Sequence, residues 1–346
     1  MAKLRIAVAG AGLIGRAHMK VAQASATCTL SAIVDPSSAA AQAAAEAGVP
    51  HYESLDHLLA RNRPDGVILA TPNAFHVPQA LQCIAVGVPA LIEKPVATSV
   101  AEGERLLAAA AGEAKLLVGH HRAHSPIMAK AKEVIDSGVL GRLVAVMGSA
   151  TFMKPDQYFE DGPWRRQSGG GPILINMIHE VHNLRMLCGE IVAVQAIASN
   201  AMRSFPVEDS VAISLQFANG ALGSFMLSDT AACPRSWEQT SQENPAYPSY
   251  ADEDCYVIAG TNGSLSVPTM RLKTYARPED RSWWKPFEAS VVPMQRQDPL
   301  VRQLAHFGAV IRGEARPLIS VGDGLANLRV TEAISEAAKS GSRVTL

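Results

Sequence analysis

Leu4-Arg5-Ile6-Ala7-Val8-Ala9 runs straight into Gly10-Ala11-Gly12-Leu13-Ile14-Gly15, and Asp35 closes the next apolar run, twenty residues after Gly15. Strand, glycine turn, helix, strand and terminal carboxylate in that register predict a dinucleotide-binding βαβ unit. Gly10 permits the tight turn and Gly12 lets a pyrophosphate approach the backbone. Gly15 lets the helix pack on the strand, while the first N–H groups of that helix, at Leu13 and Ile14, face the anion. Asp35 is placed to accept hydrogen bonds from ribose hydroxyls. The same charge repels a 2′-phosphate, and no Arg or Lys follows in Pro36-Ser37-Ser38-Ala39-Ala40-Ala41, so NAD is expected over NADP. Asp35 also stands where it would cap a helix beginning near Ser37.

Outward from this unit, strand patterns near residues 4–9, 29–34, 66–70, 88–92 and 115–119 alternate with helical stretches such as 75–86 and 99–111. The alternation predicts a doubly wound parallel sheet whose strand ends share one ligand-binding edge. Three polar segments fall on that edge: Thr71-Pro72-Asn73 with His76, Glu93-Lys94-Pro95, and Gly119-His120-His121-Arg122. From about residue 142 the pattern changes. Val211, Ile213, Leu215 and Phe217 alternate with polar or small residues, and Asn219-Gly220 then signals a hairpin, so an antiparallel sheet is expected. Helices are expected over about 173–188, 298–312 and 322–340, the last two packing back on the first domain, and an ordered loop over 229–252. The division expected is 1–121 for the dinucleotide domain and 122–346 for substrate binding and oligomerisation. Gly223, Phe225 and Leu227 read as apolar groups on the open face of the second sheet, which predicts a homodimer or homotetramer.

The 346 residues suffice for two domains. Lys plus Arg number 31 and Asp plus Glu 32, a formal net charge of −1. With the signs interspersed, nothing points to nucleic acid or an anionic membrane, and a small-molecule partner is expected. Five scattered cysteines without a CxxC suggest neither a disulfide framework nor a zinc ribbon. No run reaches the ~18 apolar residues of a membrane span and no export signal opens the chain, so a cytoplasmic location is expected. His179-Glu180-Val181-His182 has its histidines three apart rather than four, and the His120, His121, His124 cluster is notable only for its density; no metal is expected at either.

These motifs together resemble the glucose–fructose oxidoreductase/inositol dehydrogenase/rhizopine catabolism (Gfo/Idh/MocA) family over essentially the whole chain. The resemblance also rests on Trp164-Arg165, on Gly169-Gly170-Gly171 leading to His179, and on the closing Gly322-Asp323-Gly324-Leu325. It implies a Rossmann domain followed by an open-faced antiparallel sheet domain, and NAD-linked hydride exchange at a carbinol carbon of a sugar, cyclitol or related polyol. Dihydrodiol oxidation, or a non-catalytic NAD-binding sugar sensor, are the alternatives it leaves.

Lys94 is the expected electrophilic group, since an ammonium beside a hydroxyl that becomes a carbonyl stabilises alkoxide charge. His179 is the expected base. The resemblance further implies cofactor contacts from Thr71, Pro72, Asn73, His76, Glu93, Lys94, Arg122 and Arg165. Substrate contacts are expected from His120, Tyr158, Trp164, Asn176 and Glu180 beside Lys94 and His179. Helical spacing would gather Asn176, His179, Glu180 and Asn183. The chain departs from the family pattern at Ile175 and His182, where many inositol dehydrogenase-like members carry aspartates flanking the histidine.

Overall fold

A computed structural model of the chain describes residues 2–111 and 115–346. It divides into two compact units. The first comprises the chain up to His124 together with Pro299–Leu328, and the second Ser125–Asp298 with Arg329–Leu346.

In the first unit, β1 (Leu4–Ala9), β2 (Cys28–Val34), β3 (His51–Tyr52), β4 (Gly66–Leu69), β5 (Ala90–Ile92) and β6 (Leu116–Val118) form a sheet in the order β3-β2-β1-β4-β5-β6. Every pairing is parallel. Its central strands are unbroken apolar runs because helices cover both faces, leaving Ile6, Ile68 and Leu91 without solvent exposure. The serines preceding three of those helices explain where they start. The hydroxyls of Ser37, Ser54 and Ser99 accept the backbone N–H of Ala40, His57 and Glu102 respectively. At two residues, β3 is too short to show a period in sequence. The helix Pro299–Arg312 packs on the same sheet, and Gly66 leaves room for Ile311 and Phe307 there. Because strand order reverses between β1 and β4, the crevice beyond their carboxyl ends is the ligand-binding edge of such a fold.

The second unit is built on a nine-stranded sheet of β7 (Leu143–Thr151), β8 (Ile191–Ser199), β9 (Ser210–Phe217), β10 (Leu222–Ser228), β11 (Tyr256–Gly260), β12 (Gly263–Val267), β13 (Arg271–Thr274), β14 (Glu288–Val291) and β15 (Val344–Thr345). The order is β14-β13-β12-β11-β7-β10-β9-β8-β15. All pairs are antiparallel except β7 with β10, which are far apart in sequence and meet in parallel. Asn219-Gly220 does turn the β9–β10 hairpin: Gly220 takes φ +89° and the Asn219 side chain accepts the Ala221 N–H. The helices Pro126–Asp136 and Ile178–Cys188 share the core against the inner face, joined by Ile334 and Ala337 from the later turns of helix Val321–Ser340.

The hairpin register corrects one expectation. Phe225 pairs with Ile213 and Leu227 with Val211, so Phe225 and Leu227 join the inner, buried face, and Gly223 lies against Leu215 and Val146 there. The open face is apolar through other residues, Met147, Ile197, Leu222 and Met226, all exposed. A period of two makes the whole face depend on which parity is paired. The 229–252 stretch includes one helical turn, Trp237–Thr240, and buries Trp237, whose indole N–H donates to Glu243 at 3.1 Å.

The two parities should differ sharply in stability. Phe225→Ala should cost ~3–5 kcal/mol in urea unfolding, and Ser224→Ala no more than about 0.5 kcal/mol. Equal costs would reverse the assignment of inner and outer faces.

Candidate active site

At the carboxyl edge of the first sheet, the glycine turn is built by close backbone contacts. Gly10 takes φ +95°, and a Cβ there would lie 2.3 Å from the Ala70 carbonyl oxygen; one on Gly15 would lie 1.9 Å from that of Gly10. Around Gly12, by contrast, a Cβ would meet nothing within 4 Å. Helix Leu13–Ala24 therefore begins at open space, with no side chain capping its first N–H groups, which suits an incoming phosphate. Asp35 accepts the Ala11 N–H through Oδ2 and the Ser37 N–H through Oδ1, both at 2.9 Å. Burial opposes its charge, but the hydrogen bonds from Ser37 and Ala11 and the nearby His51 outweigh it and hold the carboxyl below its ordinary value. Asp35 thus holds the turn together as an ionised group, and the residues present fit a dinucleotide.

Further along the edge, the Thr71 hydroxyl donates to Gln79 at 2.7 Å, and Pro72 leads into the short turn Asn73–Phe75. His76 is buried. Its Nδ1 lies 2.7 Å from the Pro95 carbonyl and its Nε2 2.9 Å from that of Thr71, so the ring ties the segments after β4 and β5 together. Its burial pushes the imidazole below its ordinary pKa, against those two carbonyls.

Glu93 is also buried, accepting a hydrogen bond from His18 Nε2 at 2.8 Å and from the Lys94 N–H at 3.2 Å. Desolvation works against its charge, yet the hydrogen bond from His18 and electrostatic attraction toward His18, His121 and Lys94 hold it below the usual carboxylate range. Lys94 itself is half-buried. His120 and Arg122 are buried, and Asn327 Nδ2 lies 3.0 Å from His120 Nε2.

The other candidate groups lie in the second unit. Residues 173–177 form a π-turn rather than a regular helical turn, and helix Ile178–Cys188 follows, so simple helical spacing does not carry across from Asn176 to His179. Asn176 accepts from Lys154 Nζ at 2.7 Å. Lys154 also lies 3.7 Å from Asp229, which pairs with Arg203 at 2.9 Å. His179 is 8% exposed, whereas Glu180 is fully buried and takes the Tyr256 O–H; Asn183 donates to the same phenol oxygen at 2.9 Å. Arg165 donates to the Tyr158 carbonyl and stacks over its ring, 3.9 Å from the centroid, and Trp164 is half exposed. Among the described residues no three His, Cys, Asp or Glu side chains gather as a metal site, and no helix is long and apolar enough to cross a membrane.

Three polar groups were not anticipated from sequence. His18 carried a signal, a histidine on the buried Gly15-His18-Met19-Ala22 face of a helix, which calls for a polar partner. Lys154 and Tyr256 carried none, since their partners are set by sheet topology.

Residues 4–120 match the model of an oxidoreductase family with an NAD-binding Rossmann fold, and residues 128–266 that of the GFO/IDH/MocA C-terminal domain. The chain belongs to the Gfo/Idh/MocA family. As a Gfo/Idh/MocA member it is an NAD-binding oxidoreductase. It is similar to the rhizopine catabolism protein MocA of Rhizobium meliloti, 30% identical over 193 residues, 55% of this chain and 59% of that protein. An inositol 2-dehydrogenase of Rhizobium meliloti (strain 1021) is 25% identical over 337 residues, 95% of each chain. Among solved structures, the WlbA dehydrogenase of Chromobacterium violaceum, crystallised with NADH and UDP-GlcNAcA, superposes with a TM-score of 0.79 at 25% identity, covering 100% of this chain and 96% of that one.

Asp35→Ser removes an acceptor and a phosphate-repelling charge together. It should lower the NAD/NADP ratio of kcat/KM by about tenfold or more. An unchanged ratio would remove Asp35 from the adenosine ribose.

Proposed function

We propose that the protein oxidises a secondary hydroxyl of a sugar, cyclitol or related polyol with NAD, using Lys94 and His179 as its catalytic residues. The relatives named inositol 2-dehydrogenase and 1,5-anhydro-D-fructose reductase support that substrate class. The observation that carries the proposal is the Glu93-Lys94 segment. A buried carboxylate takes the Lys94 backbone N–H at the carboxyl edge of a dinucleotide-binding sheet, and the charge of the lysine helps hold that carboxylate ionised.

Bound NAD would accept the hydride from the carbinol carbon. The chain's own residues would hold it through the Gly10–Gly15 turn and Asp35, with Thr71, Pro72, Asn73 and Arg122 along the edge and Arg165 from the second unit. His76 and Glu93 serve that cofactor site from within, shaping its backbone. Lys94 lowers the energy of negative charge on the substrate oxygen as its proton leaves. His179 takes that proton at an imidazole nitrogen. Asn176, with Lys154, and the rings of Tyr158 and Trp164, both near Arg165, supply hydroxyl and ring contacts. His120 and Glu180, both buried, act by supporting neighbouring groups.

The division of labour follows the two units: dinucleotide in the first, substrate selection in the second. The exposed Met147, Ile197, Leu222 and Met226 face supports assembly as a homodimer or homotetramer. The five scattered cysteines, none of them joined in a disulfide, are consistent with a reducing cytoplasm.

Absorbance of reduced nicotinamide, followed with a panel of polyols and dihydrodiols, separates the alternatives. Turnover with polyols is expected. NAD binding without turnover on any of them would make the chain a sensor. Lys94→Ala and His179→Ala should each lower kcat ~100-fold or more with little change in NAD affinity, and their costs should not add, because both act on one step. Near-normal turnover in either folded variant removes that residue from the mechanism. Light scattering should give a multiple of 36.6 kDa; the monomer mass alone would rule out assembly.

A further inference from the structure

His18 and Glu93 are joined across 75 residues of chain by a hydrogen bond of 2.8 Å at a place where neither reaches solvent freely: His18 is 1% and Glu93 4% exposed. A buried carboxylate is costly unless charged or hydrogen-bonding partners surround it, and removing one partner leaves the charge uncompensated. Here the surroundings come from several elements. His18 projects from helix Leu13–Ala24, the helix that begins at the glycine turn. His121 follows β6, His76 opens helix His76–Ala85, and Lys94 is the next residue in the chain; all three act electrostatically on or with Glu93.

The packing is equally specific. A Cβ on Gly119 would lie 2.9 Å from Glu93 Oε1 and 3.0 Å from its Cα, so the carboxylate occupies the volume a side chain would need there. Glu93 Oε2, the oxygen not taken by His18, receives the Lys94 N–H. The carboxylate therefore joins the first helix to the backbone of Lys94.

We propose that His18 is a positioning residue for Lys94. Its imidazole fixes the Glu93 carboxylate, and the carboxylate fixes where the Lys94 ammonium stands relative to the glycine turn. His18 touches neither substrate nor dinucleotide in this role. The assignment rests on Lys94 being the catalytic ammonium, but its first test needs no substrate.

Competitive acylation with acetic anhydride, with each lysine quantified by peptide mass spectrometry in cofactor-free protein, reads the environment of Lys94 against the other lysines as internal references. His18→Leu should change the relative reactivity of Lys94 by about 3-fold or more. His18→Gln, whose amide N–H can replace the Nε2–H, should keep it near the wild-type value. If His18→Leu does not fold, Glu93→Gln, which keeps the shape but removes the charge and leaves one acceptor oxygen where the carboxylate has two, should give the same displacement. With the best polyol of the panel, His18→Leu should lose ~10- to 100-fold in kcat at an unchanged KM for NAD, and His18→Gln should recover most of it.

Unchanged Lys94 reactivity in folded His18→Leu, or in Glu93→Gln where that variant stands in for it, overturns the proposal. So does a loss of turnover that His18→Gln fails to rescue. Full activity of Lys94→Ala would instead defeat the catalytic assignment of Lys94, while the acylation result would still decide whether His18 positions it.

Discussion

Backbone packs directly on backbone at the first βα turn. The Gly10 Cα faces the Ala70 carbonyl at the end of β4, and the start of the first helix lies on the Gly10 carbonyl. Neither approach leaves room for a single carbon. The turn is drawn in far enough that Ala11 offers its N–H to Asp35 and the uncapped first turn of the helix opens on empty space. The ends of β1, β2 and β4 thereby share one edge, with the uncapped helix end and the Asp35 carboxylate beside it.

Electrostatics takes over where backbone packing ends. Glu93, Asp229 and Glu180 are three buried acidic side chains, and each is met differently. Glu93 has His18 and the Lys94 N–H; Asp229 has Arg203 and Lys154; Glu180 has the Tyr256 hydroxyl. Such networks are poor sources of net stability, because desolvation offsets most of the attraction. They fix direction, and direction is what a proton acceptor and an oxyanion-stabilising cation require.

Much of this was legible in the sequence, for physical reasons that differ by element. The fingerprint from Gly10 to Asp35 is local, its parts joined by covalent spacing, and the structure has the turn and carboxylate as read. The Asn219-Gly220 hairpin is local too. Phe225 was misplaced because alternation alone reports two faces without saying which is buried; the pairing with Ile213 decides it. The π-turn at 173–177 offset the helical count from Asn176 to His179, and nothing in Ile173-Leu174-Ile175-Asn176-Met177 announces it. His76 and His120 are buried against Pro95 and Thr71 and against Asn327 respectively. Their partners are remote in sequence, as is the partner of His18, and only the folded sheet brings them together.

If this edge carries hydrogen from a carbinol carbon to NAD, turnover with myo-inositol deuterated at every ring carbon should leave one deuterium at nicotinamide C4, on a single face, in the NMR spectrum of the isolated reduced cofactor. Reduced cofactor without deuterium at C4 would rule out hydride transfer from the carbinol carbon.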